Sequence, residues 1–178
     1  MNNVGAVRPR LDGFLAITDA EWDWALTINF LTAVRTTRAA LPHLLERPAS
    51  AIVTVASVNA VLPDPTVIDY SAAKAALVNF SKSVSKEFGA RGVRANTVSP
   101  GPVETALWLG DHGVAETVAK AGQGNAADVA KQQAAAAATG RFTRPEEVAD
   151  VVVLLAGDRA ANITGTDITI DGGLIDTL

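Results

Sequence analysis

The apolar positions of this chain change period several times, and each change marks an element. From Thr18 onward, Trp22, Leu26, Phe30 and Ala33 recur at intervals of three and four, the spacing of one helix face continuing towards Leu41, where Pro42 bends or ends it. Thr18-Asp19-Ala20-Glu21 supplies a capping box, in which hydroxyl and carboxylate satisfy free backbone amides at the helix start. Ala51 to Ala56 is short, β-branched and almost wholly apolar, the pattern of a strand covered on both faces. A second long helix is predicted from about Tyr70 to Phe88, stopped by Gly89 and Gly92, with the next buried strand over Val93 to Val98. Thr143-Arg144-Pro145-Glu146 reads as another capping box, with proline in the first turn of a helix through Val148, Val151, Val152 and Leu155 to Gly157. Ile168 to Ile170 make a last short strand.

Strand, helix, strand, helix, strand with short connections predicts an α/β fold with a parallel sheet, because adjacent parallel strands need a helical return across one face. The sequence shows no internal repeat and no linker, so residues 1–178 read as one domain. The segment from Ala106 to about Ala138 is rich in Ala and Gly and poor in large apolar residues, and reads as a helical flap. Within it, Gly122-Gln123-Gly124-Asn125-Ala126-Ala127 matches a loose dinucleotide fingerprint, but no buried strand precedes it, and a glycine break between two helical pieces is preferred.

Composition narrows the function. At 48% hydrophobic and 19% charged residues, the balance is that of a globular protein with a core. A net charge of -4 with scattered Lys and Arg leaves no basic stripe for nucleic acid. Cysteine is absent, and His43 and His112 lie far apart without carboxylates patterned around them, so no metal site is expected. No stretch of about 20 apolar residues spans a bilayer and no signal core opens the chain. A cytoplasmic location, without a membrane partner, follows by default.

Four polar residues carry the candidate chemistry. Tyr70 and Lys74 are four apart, which on a helix sets both side chains on one face within reach of one ligand. A phenol titrates near 10, and an adjacent ammonium would lower that value and fit Tyr70 for general acid or base work, although such pairs also arise as surface decoration. Ser57 follows the end of a predicted buried strand, where α/β folds place their ligands; its hydroxyl either holds a substrate oxygen or caps a turn. Asn29 interrupts an apolar helix, either as a satisfied core amide or as the anchor of a water in a proton relay.

Together with Asn2-Asn3-Val4-Gly5, Pro100-Gly101, Ile163-Thr164-Gly165 and Asp171-Gly172-Gly173, these residues stand in an order and spacing that resembles the C-terminal two-thirds of a short-chain dehydrogenase/reductase. The resemblance implies a doubly wound, Rossmann-like parallel sheet, truncated at its N-terminus. It implies hydride transfer between NAD or NADP and a small alcohol or carbonyl substrate. Tyr70 would act as general acid/base and Lys74 would bond the nicotinamide ribose. Ser57 would orient the substrate oxygen, and Asn29 would anchor a relay water. Asn3, Pro100, Gly101, Val103 and Thr105 would face the cofactor, while Leu107 and Trp108, on the lid, would touch substrate. Family members form dimers or tetramers through the helices that bear Asn29 and Tyr70, so a homo-oligomer is implied.

The family carries its glycine-rich TGxxxGxG turn ahead of the Asn-Asn-x-Gly motif, and no segment of these 178 residues substitutes for it. The expectation is weak or absent cofactor binding by this chain alone, and an open sheet edge. A different class of function, a non-catalytic α/β fragment serving as an interaction module, remains the alternative. A serine hydrolase is set aside, because Ser57 lacks the GxSxG elbow and neither histidine has a paired carboxylate.

Overall fold

A computed structural model describes residues 1–122 and 124–176. Its sheet has three parallel strands, β1 (Ser50–Val55), β2 (Val93–Pro100) and β3 (Asp167–Ile170), in the spatial order β1-β2-β3. Asn2 lies against the free side of β1, its N–H bonded to Val53 O and its carbonyl to Val55 N–H.

The helices before the flap are α1 (Asp19–Leu26), α2 (Thr32–Leu44) and α3 (Ile68–Phe88). The flap itself holds α4 (Ala106–Leu109), α5 (Val114–Ala121) and α6 (Ala126–Ala136), and α7 (Pro145–Ala156) follows it. Alternate strand residues feed two separate cores. Ile52, Val93 and Ala95 pack with Val84, Leu41, Phe80 and Phe88, so α2 and α3 cover one face. Val53 and Val98 pack with Leu155, Val148, Val151 and Ile168, so α7 covers the other. Helices on both faces of a parallel sheet make the doubly wound, Rossmann-like architecture expected from the sequence.

Three local features differ from the sequence reading. The helix from Thr18 does not end at Pro42 but holds it inside α2. It is instead interrupted at Thr27–Leu31 by a π-helical turn, in which Thr32 N–H and the Thr32 hydroxyl both reach Thr27 O. The second capping box is displaced by one residue. Thr143 is held by Pro102 O through its N–H and so cannot cap; Arg144 takes the cap position, and Glu147, not Glu146, bonds its N–H at 2.8 Å.

The flap is clasped at its base. Thr143 N–H bonds Pro102 O, Glu104 N–H bonds Thr143 O, and Thr139 N–H bonds Gly172 O, which ties the Asp171-Gly172-Gly173 turn to the flap's returning end. Of the Gly122 to Ala127 fingerprint, Gln123 lies outside the described residues. Asn125 caps α6 by accepting from Ala127 N–H, and no strand precedes it. No described helix is long and apolar enough to cross a membrane.

Candidate active site

The carboxyl ends of β1 and β2, the first turns of α3 and the segment after Asn2 converge on one place. Tyr70 and Lys74 occupy successive turns of α3, and Lys74 Nζ lies 5.5 Å from the Tyr70 ring centre. Lys74 is 4% exposed, and its ammonium donates to Val55 O, the last carbonyl of β1, at 3.0 Å. Burial lowers its pKa from 10.5 to about 8. Tyr70 keeps part of its surface open, yet burial raises its phenol above the ordinary 10.0, against the smaller lowering that the Ser57 hydroxyl supplies when it donates a hydrogen bond to the phenol oxygen. The sequence reading expected Lys74 to lower the phenol. In the structure the phenol is raised instead, because its burial penalises the charged phenolate.

Ser57 is buried just beyond β1, in extended backbone, and caps a short 3-10 turn (Val58–Ala60). Asn29 is buried in the π-helical turn, and its amide is taken up by backbone: Oδ1 accepts from Ala6 N–H at 3.0 Å, while Nδ2 donates to Ala6 O and Ala25 O at 2.9 and 3.0 Å. The Asn29 side chain is thus a satisfied amide that fastens the segment after Gly5. Gly5 itself is pressed into the site, since a β-carbon there would stand 3.1 Å from Asn29 Oδ1 and 3.4 Å from Lys74 Nζ.

Of the residues expected to face a cofactor, Asn3 is exposed beside this cluster and Pro100 ends β2. Gly101 is packed on Asp171, where a β-carbon would fall 2.9 Å from the aspartate side chain. Val103 bridges to Thr143, and Thr105 stands at the start of α4. Of the expected lid contacts, Leu107 is exposed, whereas Trp108 stacks edge-on against Phe142 at 5.6 Å between ring centres.

Three groups were missed by the sequence reading. Asn59 bonds Ser57 at both ends, and its position two residues after a turn serine was the available signal. Asp69, immediately before Tyr70, is 1% exposed and accepts from Arg10 Nε and Nη2 at 3.0 and 2.6 Å. Arg10 reaches Glu21 with its third nitrogen at 2.6 Å, and its guanidinium pKa is raised, chiefly by the Asp69 hydrogen bonds. This buried pair fastens the segment after Gly5 to the first turn of α3; an acid beside Tyr70 hinted at a helix start, but nothing local named Arg10 as its partner.

A doubly wound parallel sheet with a Tyr and Lys on one helix beside a strand-end Ser defines a Rossmann-like α/β class. The comparisons identify it further. The family model described as enoyl-(acyl carrier protein) reductase matches residues 1–175. A 4-formylbenzenesulfonate dehydrogenase of Comamonas testosteroni is 34% identical over 97% of the chain and 65% of its own length. A 2-(S)-hydroxypropyl-CoM dehydrogenase of Xanthobacter autotrophicus is 33% identical over 98% of the chain and 64% of its own length. Among solved structures, L-sorbose reductase from Gluconobacter frateurii, complexed with NADPH and L-sorbose, superposes with a TM-score of 0.90 at 30% identity, over 99% of this chain and 66% of that one. The chain belongs to the short-chain dehydrogenase/reductase family, and it spans a little under two thirds of the length of these curated relatives.

Proposed function

We propose that this protein is an NAD- or NADP-dependent oxidoreductase that interconverts a small alcohol and its carbonyl, with Tyr70 as the proton-transfer group. The observation that carries this reading is the meeting of Tyr70, Lys74 and Ser57 at the end of β1, with Gly5 leaving the ground above Lys74 open. The family relation and the NADPH-bound relative support the cofactor class.

The residues present fit the nicotinamide-ribose half of such a cofactor. Gly5 removes the side chain that would crowd Lys74, and Asn3, Pro100, Gly101, Val103 and Thr105 surround the same strand ends. A bound nicotinamide supplies or accepts the hydride. The chain's own groups do the rest: Ser57 Oγ holds the substrate oxygen, and Tyr70 Oη gives that oxygen a proton on reduction or takes one on oxidation. Lys74, held by Val55 O, favours the phenolate electrostatically whenever it carries its charge. The flap after Thr105, with Leu107 and Trp108, excludes water. No glycine-rich turn between a strand and a helix lies among the described residues to hold a pyrophosphate.

The test is energy transfer from Trp22, Trp24 and Trp108 to bound reduced nicotinamide. Reduced nicotinamide mononucleotide and NADH are expected to bind this chain with similar, weak affinity, because its residues hold only the half that both share. Failure of both to bind a folded protein overturns the reading and leaves an α/β interaction module. NADH binding a hundredfold tighter than the mononucleotide would mean that an adenylate site has been overlooked.

A further inference from the structure

Ser57 does not stand alone beside Tyr70. Its Oγ accepts from Asn59 N–H at 3.2 Å, and its hydroxyl donates to Asn59 Oδ1 at 3.2 Å. The other end of the same amide, Nδ2, donates to Ser71 Oγ at 3.4 Å. Ser71 is buried on α3, next in the chain to Tyr70. The amide thus links the serine at the strand end to the helix that carries the tyrosine.

A serine hydroxyl has one hydrogen to give. While Asn59 Oδ1 receives it, Ser57 offers the Tyr70 oxygen only a lone pair, which favours the neutral phenol. With the amide turned over, Nδ2 donates to Ser57 and Oδ1 accepts from the Ser71 hydroxyl. The Ser57 hydrogen is then released towards Tyr70, where it favours the phenolate. The two amide orientations have the same shape and satisfy the same three residues; they differ only in the direction of the hydrogen bonds.

We propose that Asn59 is a positioning residue that holds the Ser57 hydrogen on its Oδ1, so that the chain Ser71–Asn59–Ser57 presents Tyr70 with an acceptor and favours the protonated phenol. This rests on Tyr70 as the proton-transfer group. Its readout, however, is the titration of the phenol itself, which needs no turnover, so the two readings fail separately.

Tyr70 is the single tyrosine of the chain, so biosynthetic replacement of tyrosine by the more acidic 3-fluorotyrosine places one fluorine reporter at this site. Asn59→Leu keeps the side-chain bulk and removes both amide dipoles, which frees the Ser57 hydrogen. The fluorine-detected titration is expected to fall by about one pH unit, the size of one hydrogen bond to a charged group. In a Ser57→Ala background the same substitution is expected to change nothing further, because Asn59 acts only through Ser57. Equal shifts in both backgrounds, or no shift from Asn59→Leu in a protein whose circular dichroism is unchanged, overturn the proposal. If the leucine variant does not fold, Asn59→Asp serves: it pins the Ser57 hydrogen and raises the titration more with Ser57 present than with Ser57→Ala, whereas equal rises contradict the role.

Discussion

Gly5 packs so closely on Asn29 that a β-carbon added to it would stand 3.1 Å from Oδ1, and the same atom would come within 3.4 Å of Lys74 Nζ. The predicted consequence is that Gly5→Ala disturbs the site more than the fold. The added methyl has to displace either an amide that fastens Ala6 or an ammonium bonded to β1, at a cost of about 1–3 kcal/mol of overpacking. Denaturant unfolding should show a loss of that order, and nicotinamide binding should fall by more than the stability change explains.

Lys74 predicts how stability depends on pH. Its folded pKa of about 8 lies below the ordinary 10.5, so between these values the unfolded chain binds more protons and stability rises with pH. The window is cleanest between about 8 and 10. Above 10 the raised phenol of Tyr70 opposes it, because the folded state then retains a proton that the unfolded state has lost. Lys74→Met is expected to abolish the rise between pH 8 and 10. An unchanged slope in the variant would show that the lysine is not desolvated as described.

The Arg10–Asp69 pair fastens the first turn of α3, and neither partner has water to fall back on. Arg10→Met should cost about 3–5 kcal/mol, because it leaves Asp69 as an uncompensated buried charge, and Asp69→Ala should cost less, because Glu21 still pairs with Arg10. The double replacement Arg10→Met with Asp69→Leu should cost much less than the sum. Urea midpoints of the three variants check this.

Much of this arrangement was legible in the sequence, and the parts that were not share a physical cause. The helix through Tyr70 and Lys74 and the strands follow from periodicity, which is a local signal, whereas the motifs were read from their resemblance to the family. The pairing of Arg10 with Asp69 joins residues far apart in the chain, and the choice of partner is made only when the segment after Gly5 lies down on α3. The π-helical turn at Thr27–Leu31 was invisible because its sequence suits an ordinary helix; the inward pull of Asn29 on Ala6 and of the Thr32 hydroxyl on Thr27 accompanies the extra residue. The cap at Thr143 failed because a tertiary bond to Pro102 claimed that residue's backbone first. Tyr70 stood out by its spacing from Lys74, but the burial that raises its phenol depends on packing that spacing does not contain.

The central claim, that Tyr70 moves the proton in a nicotinamide-dependent redox reaction, is tested most directly by comparing the native protein with Tyr70→Phe. Oxidation of NADH or NADPH is followed at 340 nm with a panel of small aldehydes and ketones, each protein's cofactor affinity having been measured first. The account predicts turnover by the native protein and a loss of about 10²–10⁴-fold in the phenylalanine variant at equal cofactor occupancy. Equal rates in the two proteins, or no turnover by a native protein that binds the cofactor, would contradict it.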